Sequence, residues 1–336
     1  MDGVADATRP PSSEAVGEGP VTDVQQPEEG RAPRGAAGSI RVRVPAKINL
    51  HLGVGPLRPD GFHELHTVYH AISLYDELTA RPADTLTLTM DGEGAGELAL
   101  DESNLVIRAV RALAAYTGKP ACARLHLRKH IPLAAGLAGG SADAAAALVA
   151  CDALWGTGLS RDELARVAAG LGSDVPFLLH GGTALGTGHG EVISPVLTHP
   201  VTWHWVVAVS AYGLSTPAVY RELDRLRAEN AAPPPIGAPD ALLAALRQDD
   251  PAVLGAALGN DLQAAALALR PELADVLKAG LSAGAIAGIV SGSGPTCVFL
   301  AADAAHADHL AAELTAAGVC RAARTAYGPV PGARVS

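Results

Sequence analysis

From Ile40 onward the chain alternates apolar and polar residues, a pattern that a β-strand satisfies and a helix does not. The apolar positions are Val42, Val44, Ala46, Ile48, Leu50 and Leu52, and the polar positions are Arg43, Lys47, Asn49 and His51. Successive side chains of a strand point to opposite faces of the sheet. The alternation therefore predicts a half-buried strand that carries Lys47 beside Asn49 on its polar face.

Further along the chain, strand patterns and helix patterns follow one another. Residues 86–90 and 125–127 alternate like strands, whereas residues 104–116 have the spacing of a helix that follows a Ser103 cap. Ser160 and Glu163 form the capping-box pattern of another helix, which ends at Gly170. Because these elements lack the regular rhythm of parallel βαβ units, we predict an α+β fold.

Composition divides the chain into a tail and two domains. Residues 1–39 contain five prolines and no aromatic residue, Leu or Ile. A segment of this composition cannot bury enough apolar surface to offset the entropy of ordering, so we predict a disordered acidic tail. Pro195 and Pro200 mark a boundary between elements. We therefore predict one domain over residues 40–199 and a second over residues 200–330.

The charge and the cysteines restrict the partners. The 336 residues carry a net charge of −10, and affinity for a nucleic-acid backbone or an anionic membrane needs clustered Lys and Arg. No apolar stretch approaches the roughly 20 residues of a membrane helix. The four cysteines are widely spaced, and no secretory signal precedes them. We expect a cytoplasmic protein that acts on a small molecule, without a nucleic-acid or membrane partner.

A glycine-rich segment joins a strand to a long helix and carries the strongest chemical signal. Its residues are Pro132, Leu133, Ala134, Ala135, Gly136, Leu137, Ala138, Gly139, Gly140, Ser141 and Ala142. Glycines before a helix let backbone N–H groups point into one concavity, where the helix dipole favours an anion. The segment matches neither the dinucleotide fingerprint nor the Walker A loop. It predicts a phosphate cradle; the alternative is a plain turn with Ser141 as the helix N-cap.

Two other segments carry candidate chemistry. Asp174 precedes Pro176 at the start of an apolar helix, which is also what a helix cap looks like. Residues 290–296 form a tight glycine turn, which is also typical of a simple hairpin. Lys47 is one of only four lysines among 25 basic residues, so its retention favours a specific role.

Taken in order, these segments resemble the GHMP kinases. The resemblance rests on residues 45–52, residues 58–65, the glycine-rich segment, residues 171–177 and residues 291–294, and it spans the chain from about Ile40 to its end. It implies a two-domain GHMP kinase fold, with an N-terminal ribosomal-protein-S5-like domain and a C-terminal ferredoxin-like domain. It also implies ATP and Mg²⁺ as cofactors and phosphoryl transfer to a small-molecule alcohol.

The resemblance assigns roles to individual residues. Asp174 matches the catalytic base, and Lys47 matches the active-site lysine that orients it and offsets negative charge. The glycine-rich segment would bind ATP together with Lys129 and Asn104, and the Ser141 hydroxyl would contact Mg²⁺. The segment departs from the glycine-richer form of the family at Ala135 and Ala138, and Asp143 replaces the commoner Asn. Such an acid either points away from the phosphates or meets the metal ion.

For the alcohol, the resemblance implies a cytidine diphosphate sugar alcohol of the non-mevalonate isoprenoid pathway. Phe62 and His63 would hold the cytosine, with Tyr220 as the opposing ring and with Asn49 and Thr216 as further contacts. Partly buried packing is the alternative for His63 and Tyr220. Two other functions remain open: a GHMP kinase acting on homoserine or a mevalonate derivative, and a catalytically silent nucleotide sensor. We expect a monomer or a weak homodimer.

Overall fold

The computed structural model describes residues 38–336, so the predicted tail over residues 1–39 lies outside the described residues except for its last two positions. The strands in this range are β1 (Ile40–Leu57), β2 (His63–Arg81), β3 (Thr87–Gly92), β4 (Arg124–Lys129), β5 (Thr183–Thr187), β6 (Val192–Pro195), β7 (Trp203–Val209), β8 (Gly259–Asn260), β9 (Ala287–Val290), β10 (Cys297–Ala301), β11 (Ala322–Gly328) and β12 (Arg334–Val335). The helices are α1 (Leu105–Thr117), α2 (Gly139–Trp155), α3 (Arg161–Ala169), α4 (Val175–His180), α5 (Thr216–Ala228), α6 (Asp240–Ala245), α7 (Pro251–Ala256), α8 (Gln263–Leu269), α9 (Glu272–Ser282) and α10 (Ala304–Ala316).

The first sheet is built on the long antiparallel pair of β1 and β2. Its strand order is β12-β1-β2-β4-β3, with β5 and β6 continuing from β2 and β8 pairing in parallel with β1. The apolar positions of β1 are buried as predicted, but Lys47, Asn49 and His51 are also buried. The prediction of a half-buried strand was therefore wrong, because the turn at Gly292 and the backbone at Gly237 lie against the polar face. A face that would meet solvent becomes the wall of a cavity.

The helix α2 lies in the hydrophobic core that packs against the first sheet. It is rich in alanine and buried around most of its circumference, and small side chains let neighbouring elements approach it closely. The N-cap of α1 is Asn104, whose side chain accepts from the Val106 N–H. The predicted Ser103 cap was wrong, because Ser103 instead bonds to Asp101. The capping box of α3 and its end at Gly170 are confirmed.

The second sheet is fully antiparallel, with the order β11-β7-β10-β9. Residues from β7, β10 and the helices α5, α8, α9 and α10 share its core. Two separate sheets with helices packed on them confirm the α+β class. The boundary between residues 199 and 200 stays a prediction; β7 begins at Trp203, while β8 and β12 return to the first sheet. Within residues 38–336, no helix is long and apolar enough to cross a membrane.

Candidate active site

A cavity of about 1180 Å³ gathers most of the residues that the sequence singled out. Predicted residues that line it are Lys47, Asn49, Phe62, His63, Lys129, Pro132, Leu133, Ala134, Ala135, Gly136, Ala138, Gly139, Gly140, Ser141, Asp174, Thr216 and Tyr220. Leu137 and Ala142, the remaining members of the glycine-rich segment, are buried and are not among the lining residues. Asn104 is not among the lining residues, and its side chain is engaged in capping α1 and in donating to the Ala99 carbonyl.

Lys47 and Asp174 meet at one wall of the cavity. The Lys47 Nζ lies 3.7 Å from Asp174 Oδ2 and donates to Asn49 Oδ1 at 2.7 Å. Asn49 in turn donates to the Thr67 hydroxyl, and the Lys47 backbone N–H donates to the Leu137 carbonyl. Asn49 thus holds the ammonium and is itself held by β2, while the Lys47 backbone is attached to the glycine-rich segment. Two groups of opposite charge remain close without a direct hydrogen bond between them.

Asp174 precedes α4 but does not cap it. Its backbone has α-helical angles, and its side chain makes no capping hydrogen bond. The alternative interpretation of Asp174 as a helix cap is therefore wrong for this side chain. The carboxylate is 28% exposed, beside a lysine side chain that is 6% exposed. It is available to accept a proton from a ligand in the cavity.

Tyr69 is a neighbour of this pair that the sequence did not reveal. It lies opposite Asn49 on β2 and is buried, with the Lys47 Nζ 5.4 Å from its ring centroid. Burial, followed by the nearby Asp174 carboxylate, raises the pKa of the Tyr69 phenol well above its usual value. The phenol therefore stays protonated and can only donate or accept hydrogen bonds. No local pattern in β2 distinguishes this tyrosine from a core residue.

The glycine-rich segment follows an unusual backbone path. Ala134, Gly136 and Ala138 have φ angles of 47°, 72° and 57°, in the left-handed region that favours glycine. The helix N-cap is Ala138, so the alternative of Ser141 as the N-cap is wrong; Ser141 is the third residue of α2. An added Cβ at Gly136 would lie 2.3 Å from the Ser291 carbonyl oxygen. Close backbone contact therefore fixes the segment against the second glycine turn.

Lys129 is a buried structural cation. Its Nζ lies 2.6 Å from Asp76 Oδ2 and 2.7 Å from Asp143 Oδ2, and its side chain has no exposed area. Burial raises the pKa of Asp143 well above its usual value, and Lys129 partly opposes this shift. Asp143 thus faces Lys129, which resolves the question that its acidic side chain raised in the sequence. We name these three residues the buried lysine triad.

The other end of the cavity carries rings and hydroxyls. His63 contacts Asp224 through Nε2 at 2.9 Å, and its ring lies 5.2 Å from that of Tyr220. The Thr216 hydroxyl is 2.8 Å from the Ser293 hydroxyl. Burial raises the pKa of Tyr220, with Asp174 as a smaller cause. Phe62 is stacked on His189 at a centroid distance of 4.6 Å. No motif in the sequence selects His189.

Potential metal ligands are sparse. Residues 38–336 contain no group of three or more His, Cys, Asp or Glu side chains that could hold a metal ion. Among the lining residues, Ser141 and Asp174 carry side-chain oxygens, as do Glu97 and Asp143, and Asp143 is paired with Lys129. This donor set fits an ion that keeps most of its ligands from water and phosphate oxygens, as Mg²⁺ commonly does.

Comparison with known proteins identifies the class. The family description "GHMP kinases N terminal domain" matches residues 104–182, and "GHMP kinases C terminal" matches residues 242–320. A homoserine kinase from Cytophaga hutchinsonii has the same fold, with a TM-score of 0.69 at 20% identity over 91% of this chain and 100% of that chain. The predicted two-domain GHMP kinase fold is confirmed, and kinases of this class use ATP.

More similar proteins narrow the class. A 4-diphosphocytidyl-2-C-methyl-D-erythritol kinase of Salinispora tropica is 77% identical over 315 residues, which are 94% of this chain and 100% of that protein. A crystal structure of 4-(cytidine 5'-diphospho)-2C-methyl-D-erythritol kinase is 34% identical, with a TM-score of 0.71, over 86% of this chain and 98% of that chain. The chain therefore belongs to the family of 4-diphosphocytidyl-2-C-methyl-D-erythritol kinases within the GHMP kinases.

Proposed function

We propose that this chain transfers the γ-phosphoryl group of ATP to the 2-hydroxyl of 4-diphosphocytidyl-2-C-methyl-D-erythritol, in the non-mevalonate route to isoprenoid precursors. The observation that carries this proposal is one cavity that joins the Lys47 and Asp174 pair to the glycine-rich segment and to an aromatic end. The names of the related kinases support the choice of alcohol. A silent sensor would not need the paired lysine and carboxylate.

The Lys47 and Asp174 pair supplies the chemistry at the hydroxyl. Phosphoryl transfer needs positioning, charge stabilisation and an acceptor for the hydroxyl proton. Asp174 accepts that proton at Oδ2 or Oδ1 as the substrate oxygen attacks the γ-phosphorus, and ADP leaves with the electrons of the broken bond between the γ-phosphorus and the bridging oxygen. Lys47 holds the carboxylate in place and offsets the negative charge that develops between the two substrates. The Asn49 amide keeps the ammonium directed toward this point.

The glycine-rich segment binds the phosphates of ATP. Its left-handed residues and the start of α2 place backbone N–H groups around the cavity wall, where a helix N-terminus favours an anion. A Mg²⁺ ion, when bound, neutralises phosphate charge, and the Ser141 hydroxyl is its protein ligand in this proposal. Lys129 supports the segment from beneath, where the absence of a side chain at Gly139 leaves room for the ammonium. Asn104 supports the nucleotide pocket indirectly, through the start of α1.

The aromatic end recognises the cytidine. Phe62 presents a ring that is 57% exposed, and Tyr220 provides a second ring on α5. A base stacked on such rings gains about 1–3 kcal/mol per contact. His63, fixed by Asp224, and Thr216, fixed by Ser293, supply polar contacts near the diphosphate and the base.

The cellular setting follows from charge and cysteine chemistry. A net charge of −10 gives no general attraction to nucleic acids or anionic membranes. The four cysteines are free thiols in the described part of the chain, which suits a reducing compartment. We accordingly propose a cytoplasmic enzyme. We also propose that it is a monomer or weak homodimer.

The test of the reaction is turnover of a panel of alcohols with ATP and magnesium. The cytidyl substrate should be phosphorylated, whereas homoserine and mevalonate should be inert. Robust turnover of homoserine instead would favour the other GHMP activity.

The test of the base is Asp174→Asn. We expect turnover to fall by about 10²–10⁴-fold, the usual contribution of a positioned base, while ATP binding and thermal stability persist. Asp250→Asn is the matched control, because Asp250 also precedes a proline helix start and does cap it through hydrogen bonds to Ala252 and Val253. That variant should keep its turnover. An Asp174 variant as active as the parent would refute the role.

A further inference from the structure

Phe62 is an exposed aromatic residue with one face already covered. Its ring is stacked on His189 with an interplanar angle of 28°, yet the side chain remains 57% exposed. A ring has two faces, so the stack leaves one face open. Both residues line the cavity. The open face of Phe62 is therefore the outer surface of a stack of two rings, with His189 behind it.

His189 sits on a turn that the rest of the site anchors. Its backbone N–H donates to Glu191 Oε2 at 2.7 Å, and the neighbouring Gly188 carbonyl accepts from the Leu65 N–H at 2.8 Å. An added Cβ at Gly190 would lie 2.4 Å from the Tyr69 hydroxyl oxygen, so the turn packs directly on the wall near Asp174. His189 is thus attached to fixed parts of the first sheet.

Phe62, by contrast, belongs to the connection between β1 and β2. Asp60 binds this connection locally: it accepts from the Phe62 N–H at 3.1 Å and pairs with Arg58. The same carboxylate lies 3.6 Å from His189 Nε2. Side-chain contacts with His189 therefore hold both Phe62 and Asp60.

We propose that His189 is a positioning residue for the cytidyl substrate: it supports one face of Phe62 and fixes the ring so that the other face receives the cytosine. This inference rests on the proposed function, because it assigns the open face to that substrate. A ring fixed before binding loses less conformational freedom when the base stacks on it. The effect should appear in recognition of cytidine and not in the chemical step, because the His189 ring contacts Phe62 and Asp60, whereas the Lys47 ammonium is held by Asn49 beside Asp174.

The experiment measures binding of cytidine 5'-diphosphate by calorimetry and steady-state kinetics for His189→Ala. Loss of the free energy of one aromatic pair weakens binding by about 2- to 12-fold. We expect the Kd for cytidine 5'-diphosphate and the KM for the cytidyl substrate to rise by that factor, with kcat and the KM for ATP unchanged. His189→Phe restores a ring without the pairing to Asp60, and should recover most of the affinity.

His309→Ala is the matched control, because His309 is an exposed histidine on α10; it should behave as the parent. Tighter binding by His189→Ala would mean that the imidazole competes with the base, and would overturn the proposal. A fall in kcat with a comparable rise in the KM for ATP would also overturn it, and so would unchanged values of all these constants. If the parent binds cytidine 5'-diphosphate but does not phosphorylate the cytidyl alcohol, the proposed reaction fails, whereas the binding comparison still decides the role of His189.

Discussion

Replacing Gly136 by Ala tests whether contact between the two glycine turns holds the active site together. Gly136 has a φ of 72°, and the new Cβ would lie 2.3 Å from the Ser291 carbonyl oxygen and 2.9 Å from that of Gly294. The left-handed conformation costs an alanine about 1–2 kcal/mol, and overpacking adds about 1–3 kcal/mol. Alanine also lowers the conformational entropy of the unfolded chain, which offsets about 0.4–1 kcal/mol of this destabilisation. The net loss of unfolding free energy should be roughly 1–5 kcal/mol.

Gly118→Ala separates the two contributions. Gly118 ends α1 with a φ of 67°, and its added Cβ would have nothing within 4 Å. That variant carries the backbone cost without the clash, and should lose at most about 2 kcal/mol. Urea unfolding gives the free energies, and ATP kinetics show whether Gly136→Ala also weakens nucleotide binding while Gly118→Ala does not. Equal stability and equal ATP affinity in the two variants would refute the reasoning.

Two further predictions concern buried histidine and strained alanine. Burial lowers the pKa of His70 to about 3, so the unfolded chain binds a proton first as the pH falls below about 6.5, and stability is lost from there toward pH 3; at pH 5 the loss is about 2 kcal/mol. Burial also lowers the pKa of His51 and His180, so urea titrations at pH 7 and pH 5 should show a loss that is larger in the parent than in His70→Gln by this amount; an identical pH dependence would contradict it. Ala138→Gly should relieve the left-handed strain and leave stability unchanged or raised by up to about 1 kcal/mol, whereas Ala135→Gly, without positive φ, should lower it by about 0.5–1 kcal/mol. Thermal unfolding of both variants checks this, and a larger loss at Ala138 would be the contrary result.

The fold class and much of the site follow from local patterns in the sequence. Alternation located β1 because the period of a strand is independent of what packs on it. The capping box located α3 because both partners lie within four residues. What covers the polar face of β1 was not predictable, since Gly292 and Gly237 are far from β1 along the chain. The burial of Lys47 and Asn49 depends on that long-range contact.

The candidate site shows the same division. Lys47, Asp174 and the glycine-rich segment were predictable because their motifs are continuous. Tyr69 and His189 were not, because their significance comes only from the atoms beside them. The pairing of Lys129 could not be predicted, because its partner Asp76 lies on another strand and no local pattern connects the two residues. Sequence identified the lysine, but the structure shows that its charge is already paired.

The buried lysine triad also affects how nucleotide binding in the cavity depends on ionic strength. Two carboxylates surround the Lys129 ammonium, so this group adds no net positive charge to the wall. Among the described residues that line the cavity, the other Lys and Arg side chains are Lys47 and Arg221, and Asp174 lies close to the first. Attraction of a polyphosphate from a distance is therefore weak, and fixed N–H dipoles act only at contact range. Because dissolved salt screens charges that are separated by more than about 8 Å, added salt should alter the affinity for the nucleotide only slightly.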